Sequence, residues 1–181
     1  MFPGNGQLLL TGNIGDIMRE SVSTGLSWIK SNASQLKINE GDFKKIDIHI
    51  HVPDAAVPKD GPSAGITIVI ALISLLKDIK IRDDTAMTGE ISLQGQVLPI
   101  GGLKEKSLAA LRHGLKRVIV PYQNKDDLKD FPESLLKNLK YLNIIFRFIF
   151  AKNIRDVIMN AFYDLEFDNN YNLLSKISPK F

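Results

Sequence analysis

Residues 58 to 76 read PKDGPSAGITIVIALISLL, and this junction between a proline-clamped loop and an apolar run constrains the fold more than any other stretch. From Ala64 to Leu76 no residue is charged, and only Gly65, Thr67 and Ser74 interrupt the apolar side chains. The run is too short to span a bilayer, which takes about 20 residues as a helix, so it belongs in a core. Its β-branched content suits a buried strand, but its length and its Pro-Ser start predict a buried helix. Upstream, Pro53, Pro58 and Pro62 enforce an extended loop, because proline fixes its own φ and disfavours helix in the residue before it. The loop therefore ends by placing one hydroxyl, Ser63, at the start of a core helix.

The remaining patterning alternates. Ile14, Ile17, Met18, Val22, Leu26 and Ile29 recur at helical spacing behind Gly12-Asn13, predicting a helix over 14–33. Ile46, Ile48, Ile50 and Val52 alternate with Asp47, His49 and His51, predicting a strand that carries both histidines on its polar face. Ala86–Ser92 and Gln96–Ile100 flank Leu93-Gln94-Gly95 and read as a hairpin. Gly101-Gly102 breaks the chain, a helix is predicted over 103–113, and Gly114 closes it. A strand at 117–120, helices near 124–130 and 133–140, a strand at 143–149 and a helix near 152–163 complete the pattern. The class is α/β or mixed α+β, as one domain of mixed sheets packed with helices over residues 1–165. Residues 166–181, rich in Asn and Ser, read as a frayed or accessory tail.

Composition narrows the chemistry. The chain has 181 residues, 44% hydrophobic and 24% charged, which is close to the average for soluble globular domains. It contains no cysteine, which removes disulfides, thiolate metal sites and cysteine nucleophiles together. A formal net charge of +3, with lysines scattered among acids, gives only weak support for nucleic-acid binding. The opening MFPGNGQLLLTGNIG has neither a basic n-region nor a long apolar h-region, so no signal peptide is expected.

Ser63 has two readings. At a helix start it is a good N-cap. It is also well placed as a nucleophile, because free backbone N–H groups and the positive end of the helix dipole face whatever the hydroxyl attacks. A serine needs a base within hydrogen-bond reach. The candidates are His49, His51, His113 and the lysines of Gly101-Gly102-Leu103-Lys104-Glu105-Lys106. A lysine serves only when neutral, so it must lie against apolar surface that lowers its pKa. On a helical wheel Leu103, Ser107, Ala110 and Leu111 form the apolar stripe, Lys106 lies at its edge and Lys104 near Leu108 and Leu111, so periodicity does not choose between them. His49 and His51 have a spacing that can hold a metal, but no third ligand completes a site.

PKDGPSAG, followed by AMTGEISLQGQVLPIGGLKEK at 86–106, resembles the proteolytic domain of the ATP-dependent Lon proteases of bacterial and mitochondrial type. LTGNIGDIMRES at 10–21, DIHIHVP at 47–53 and IVPYQNKDDL at 119–128 extend the likeness. The resemblance implies that Ser63 is the nucleophile and Lys106, the second lysine of GGLKEK, its general base. It implies Thr88 as a hydrogen-bonding partner of the lysine, with Asp60 and Glu90 lining the site. Backbone N–H groups in the stretch from Gly61 to Ser63 would stabilise the oxyanion, Gly61 and Pro62 would support the site, and His51 would neighbour the active loop.

No cofactor is implied for this domain. ATP and Mg belong to an adjoining ATPase module, and no GxxxxGK[ST] occurs in the chain. The implied partners are unfolded or damaged proteins and further copies of the chain in a hexameric ring, with no membrane. The implied compartment is bacterial cytoplasm, or alternatively the mitochondrial matrix. DNA binding by a longer parent is not indicated by these residues. The comparison also suggests a domain lacking its first strands, and a sheet short of an edge. Asp54-Ala55-Ala56-Val57 stands where the family commonly has Glu-Gly-Ala-Thr, and losing glycine at 55 alters the loop's accessible shapes. IIFRFIF at 144–150 is unusually apolar, which suggests an altered subunit contact.

Two other classes compete. Small-molecule kinases of the galactokinase and homoserine-kinase superfamily also set a serine in a Pro- and Gly-rich loop at a helix start, but they require a second Gly-Ser stretch and a catalytic acid not found here. A non-catalytic Lon-like domain would bind DNA or partners with the same fold. Ser63, Thr88 and Lys106 together argue against it.

Overall fold

The computed structural model describes residues 1–53, 60–131, 146–163 and 165–175. At its centre lies helix α2 (Gly65–Lys77), formed by the apolar run after Ser63. Ile66, Val69, Ile70 and Ile73 are fully buried, at the spacing of one helical face. The helix is not enclosed on every side, however: Thr67, Ala71 and Leu75 form an exposed stripe, with Leu75 58% accessible. It stops at Asp78, whose left-handed φ of 51° ends the hydrogen-bond ladder.

Helix α1 (Asp16–Ser31) packs across α2 through Val22, Leu26 and Ile29. The approach is close at Gly25, where a Cβ would stand 2.7 Å from the Val69 Cγ2 methyl. The predicted 14–33 is thus trimmed at both ends, with Ile14 buried just ahead of the helix.

A first sheet has the order β1-β3-β2, where β1 is Phe2–Pro3, β2 is Leu8–Gly12 and β3 is Ile46–Val52. In β3 the alternation read from sequence is realised, with Ile48 buried and His49 and His51 exposed. The sequence reading placed no strand before Gly12. β2 is a parallel partner of β3 through Leu8↔Ile48 to Gly12↔Val52, and its sequence shows no alternation because Leu8, Leu9 and Leu10 are all apolar, although Leu8 and Leu10 are half-buried and Leu9 is exposed.

The second sheet is wholly parallel, with order β4-β7-β8. Its strands are β4 (Thr85–Met87), β7 (Arg117–Pro121) and β8 (Arg147–Ala151). Here the expected hairpin of 86–92 with 96–100 is corrected. Only β5 (Glu90–Ile91) pairs with β6 (Val97–Leu98), while the residues before Thr88 belong to the parallel sheet beside β7. The segment divides at Thr88-Gly89 because Gly89 turns to bond the other partner available to it: its N–H donates to the Ser63 carbonyl (2.9 Å) and its carbonyl accepts from Ile66 N–H (3.1 Å).

Helix α3 (Leu103–Arg112) buries Leu103, Ser107 and Ala110 of the stripe drawn on the wheel and half-buries Leu111, and Gly114 follows with φ 75°. The helix expected near 124–130 is instead a 3₁₀ run, Tyr122–Asp130. The helix predicted at 133–140 and the first part of the strand predicted at 143–149 lie outside the described residues. Helix α4 (Ile154–Ala161) begins at a capping box, in which Asn153 accepts from Asp156 N–H and the Asp156 carboxylate accepts from Asn153 N–H.

The chain expected to fray beyond 165 is folded as far as 175. β9 (Leu165–Phe167) and β10 (Leu173–Ser175) form an antiparallel hairpin that adds Leu165 and Leu173 to the main core and donates Leu173 N–H to the Gln35 carbonyl at 2.8 Å. A second, smaller core joins Leu103, Val118, Val120 and Phe131, with Phe146, Phe148 and Phe150 packed against it. Part of the apolar stretch 144–150, its three phenylalanines, is thereby used within the domain.

Because Ile70 has no accessible surface and Leu75 is mostly accessible, the two should respond very differently to truncation. Ile70→Ala is expected to lower unfolding free energy by about 2–5 kcal/mol, and Leu75→Ala by less than about 0.5 kcal/mol, measured by urea denaturation.

Candidate functional site

The loop before α2 reaches Ser63 through an unusual backbone. Gly61 has φ 146° and ψ 154°, a conformation open in practice only to glycine. Pro62 then starts a single 3₁₀ turn, Pro62–Ala64, that leads into α2. Four bonds fix this turn from outside. The Ser63 carbonyl accepts from Gly89 N–H (2.9 Å) and from the Thr88 hydroxyl (3.2 Å). The Pro62 carbonyl accepts from the Ser21 hydroxyl (3.3 Å), and the Asp60 carboxylate accepts from Met18 N–H (3.0 Å). This last bond caps α1 from a distant part of the chain, since Gly15 at the helix N-cap has no side chain to do so. A Cβ on Gly15 would collide with the Asp60 carboxylate.

Lys106 comes from α3. Gly102, with φ 70°, forms the N-cap, and the Lys106 N–H bonds its carbonyl at 3.1 Å. Just ahead, the buried Asn124 brackets Ile100: its Oδ1 accepts from Ile100 N–H (3.0 Å) and its Nδ2 donates to the Ile100 carbonyl (2.8 Å). With the entry to α3 held in this way, the Lys106 Nζ donates to Ser63 Oγ at 2.8 Å. Burial disfavours the ammonium form and lowers the Lys106 pKa below the ordinary lysine value of 10.5. Lys104, on the same helix, makes no hydrogen bond to Ser63 among the described residues. The structure thus distinguishes the two lysines that the wheel left equivalent.

The other residues singled out from sequence are differently placed. Thr88 is buried and adjoins the pair, but its hydroxyl donates to the Ser63 carbonyl rather than bonding Lys106, so it positions the serine backbone. Asp60 anchors α1, and Gly61 and Pro62 shape the turn. Glu90 is on β5 and lines a cavity of about 160 Å³ with Ile17, Glu20, Ser21, Pro62 and Ile91, beside the serine turn. His51 shares the Thr11 hydroxyl with His49, each at 2.8 Å, and makes no hydrogen bond to Ser63 or Lys106 among the described residues. Among those residues no group of three His, Asp or Glu is placed to hold a metal ion. The Ala55 position lies outside the described residues.

Sequence reasoning missed Ser21 and Asn124. Ser21 is a buried polar position on α1, and Asn124 sits at the start of what read as a helix near 124–130. Neither has a local signal, because both act on carbonyls far away in the chain.

What this arrangement offers chemically is a hydroxyl on a clamped turn, hydrogen-bonded to an amine biased toward its neutral, proton-accepting form. Fold and site together match a class of hydrolytic domain. Residues 1–164 match the family model of the Lon protease (S16) C-terminal proteolytic domain, and the chain belongs to that family.

Similarity to individual members is substantial. The chain is 51% identical over 159 residues to a Lon protease of Bacillus thuringiensis (strain Al Hakam), covering 88% of this chain and 19% of that protein. It is 50% identical over 159 residues to one from Anaeromyxobacter dehalogenans (strain 2CP-C), covering 88% and 18% respectively. A Lon protease of Clostridium acetobutylicum is 47% identical over 161 residues, covering 89% of this chain and 20% of that protein. The chain therefore spans about a fifth of the length of these relatives. No helix among the described residues is long and apolar enough to cross a membrane.

The lowered Lys106 pKa has a defined sign in stability. Between the folded value and the ordinary 10.5, the unfolded chain binds more protons at this site, so its contribution to stability rises with pH across that window. Lys106→Met is expected to remove this increment, measured as the difference between urea midpoints at neutral and alkaline pH. In heteronuclear NMR the Lys106 amine should titrate below 10.5; titration at or above that value would contradict its burial.

Proposed function

We propose that this chain is the proteolytic part of an ATP-dependent serine endopeptidase, with Ser63 as nucleophile and Lys106 as general base. The observation that carries the reading is the 2.8 Å contact between Lys106 Nζ and Ser63 Oγ in a chain of the Lon family. In the neutral amine the nitrogen lone pair accepts the serine proton, reversing the direction of that hydrogen bond as Oγ attacks a peptide carbonyl. The resulting ammonium then protonates the departing amine, the peptide bond breaks, and an acyl ester remains on Ser63. Water repeats the sequence: it gives its proton to Lys106, attacks the ester and releases the second product, returning the proton to Oγ.

The developing oxyanion needs donors near Oγ. Pro62 has no N–H, so the backbone of the turn offers those of Gly61 and Ser63. Thr88 supports the reaction by holding the Ser63 carbonyl, while Asp60 keeps the turn tied to α1. Glu90 and the cavity it lines would contact substrate on the side facing α1.

Substrates, in this reading, are unfolded or damaged proteins delivered by an ATPase module of the longer protein, which would supply the ATP and Mg sites and organise six copies into a ring. The site would then operate in bacterial cytoplasm or the mitochondrial matrix.

Ser63→Ala and Lys106→Gln are each expected to reduce cleavage of a fluorogenic peptide by at least about 10³-fold without lowering the melting temperature by more than a few degrees. Lys104→Gln should retain most activity; if it were as damaging as Lys106→Gln, the base would be misassigned. A peptide boronate should label wild type and not the Ser63→Ala variant. Failure of the full-length protein to degrade unfolded casein with ATP and Mg present would overturn the protease reading.

A further inference from the structure

A cavity of about 750 Å³ lies away from the serine–lysine pair. It is lined by Arg82, Asp84, Lys116, Arg117, Arg147 and Asn160, with Phe148 and Ile149 as an apolar wall. These residues stand at the amino ends of the parallel sheet: Asp84 immediately precedes β4, and Arg117 and Arg147 are the first residues of β7 and β8. Thr88, which touches the Ser63 turn, follows the carboxyl end of β4. The three residues of β4, at about 3.3 Å each, therefore separate the two sites along that strand.

The cavity carries four cations against one carboxylate. That carboxylate is engaged: Arg82 donates to both Asp84 oxygens at 3.1 Å, Thr85 donates at 2.8 Å, and the Asp84 pKa is held at about 2, chiefly by the Arg82 hydrogen bonds. Arg82 also stacks on the Tyr163 ring at 4.3 Å, and the nearby Asp83 accepts from the Tyr163 hydroxyl at 3.1 Å. Lys116, Arg117 and Arg147 have no salt bridge among the described residues.

The three are nevertheless held together. Arg117 and Arg147 are in direct register on adjacent strands, where like charges are destabilising. Their backbones are pinned, since Lys116 and Arg117 N–H both bond the Asp84 carbonyl and Arg147 N–H bonds the Lys116 carbonyl. Asn160 accepts from the Arg117 guanidinium at 3.3 Å while its own amide donates to the Asp156 carbonyl at 2.8 Å, so one fork is aimed by a fixed side chain. Burial, reinforced by the charges of Arg82 and Arg147, lowers the Arg117 pKa. Such crowding is relieved by a bound anion, and the cavity volume is within the usual range for small ligands, about 300–1,000 Å³.

We infer that the amino ends of β4, β7 and β8 form a binding site for a small phosphate-bearing anion, gripped by Lys116, Arg117 and Arg147. Two guanidinium forks and one ammonium supply the bidentate and point-charge contacts that phosphoryl oxygens favour. Diphosphate is the simplest ligand with enough charge and acceptors to engage all three. The site acts independently of the chemistry assigned to Ser63, and none of its residues belongs to that machinery.

The test is titration of the 181-residue chain with inorganic pyrophosphate at low and moderate salt, followed by calorimetry and by amide shifts. Saturable binding is expected, weakened by salt, with shifts centred on Lys116, Arg117, Arg147 and the Asn160 side-chain amide. Arg147→Gln should weaken binding by about 10-fold while leaving the melting temperature unchanged or higher, because it removes a like-charge neighbour. Arg147→Lys, which keeps the charge and loses the fork, should fall between the two and serves if the Gln variant does not fold. No saturation by about 10 mM pyrophosphate, shifts centred elsewhere, or unaltered affinity in both variants would overturn the site. Citrate binding as tightly as pyrophosphate would overturn its assignment to phosphate.

Discussion

The rest of the molecule depends on the burial of α2. Its inward face has no accessible surface at Ile66, Val69, Ile70 and Ile73, so the helix cannot slide or rotate without opening the core. Its first residue, Gly65, is packed so closely that a Cβ there would stand 2.8 Å from Ser21 Oγ and 3.2 Å from Ile91 N. Ser63 is two residues upstream of that fixed point. The small residues of PSAG therefore have a packing role as well as a conformational one: they let α1 and β5 approach the backbone next to the nucleophile candidate. Rigidity at the serine is inherited from the core.

What could be read in the sequence divides along a physical line. α1, α3 and β3 were legible because each pairs a buried face with an exposed one, and the period of that contrast identifies the element; α2, apolar almost throughout, was legible from its length and its Pro-Ser start. β2 was not, since LLLTG lies on an edge and sets three leucines in a row, so that the half-buried Leu8 and Leu10 cannot be told by residue type from the exposed Leu9. The segment from Ala86 to Ile100 looked like one hairpin because its apolar residues run on without a break in pattern; Gly89 leaves the strand only to meet Ser63, a partner that no local pattern reveals. The short hairpin at 165–175 was obscured by a polar composition that hides Leu165 and Leu173.

The candidate site was legible to a different depth. Ser63 was conspicuous from its loop, but helical periodicity left Lys104 and Lys106 equal, and the motif resemblance was needed to choose. The structure supplies the missing information as the placement of α3, set by Gly102 and by Asn124 gripping Ile100. Thr88 shows the limit of reading by resemblance. The residue lies where expected, yet its hydroxyl serves the Ser63 carbonyl instead of the lysine. Residue type and spacing located the neighbourhood, whereas hydrogen-bond direction required coordinates.

One contact described above joins parts of the molecule that otherwise look separate. Asp60 lies in the loop of the serine and yet supplies the first turn of α1 with the acceptor that Gly15 cannot provide. Ser21, one turn further along α1, holds the Pro62 carbonyl in return. The helix and the loop thus complete each other's hydrogen bonds, and neither end is fully satisfied alone. A displacement of the start of α1 would therefore reach the hydroxyl, some 40 residues away in sequence, without anything touching it.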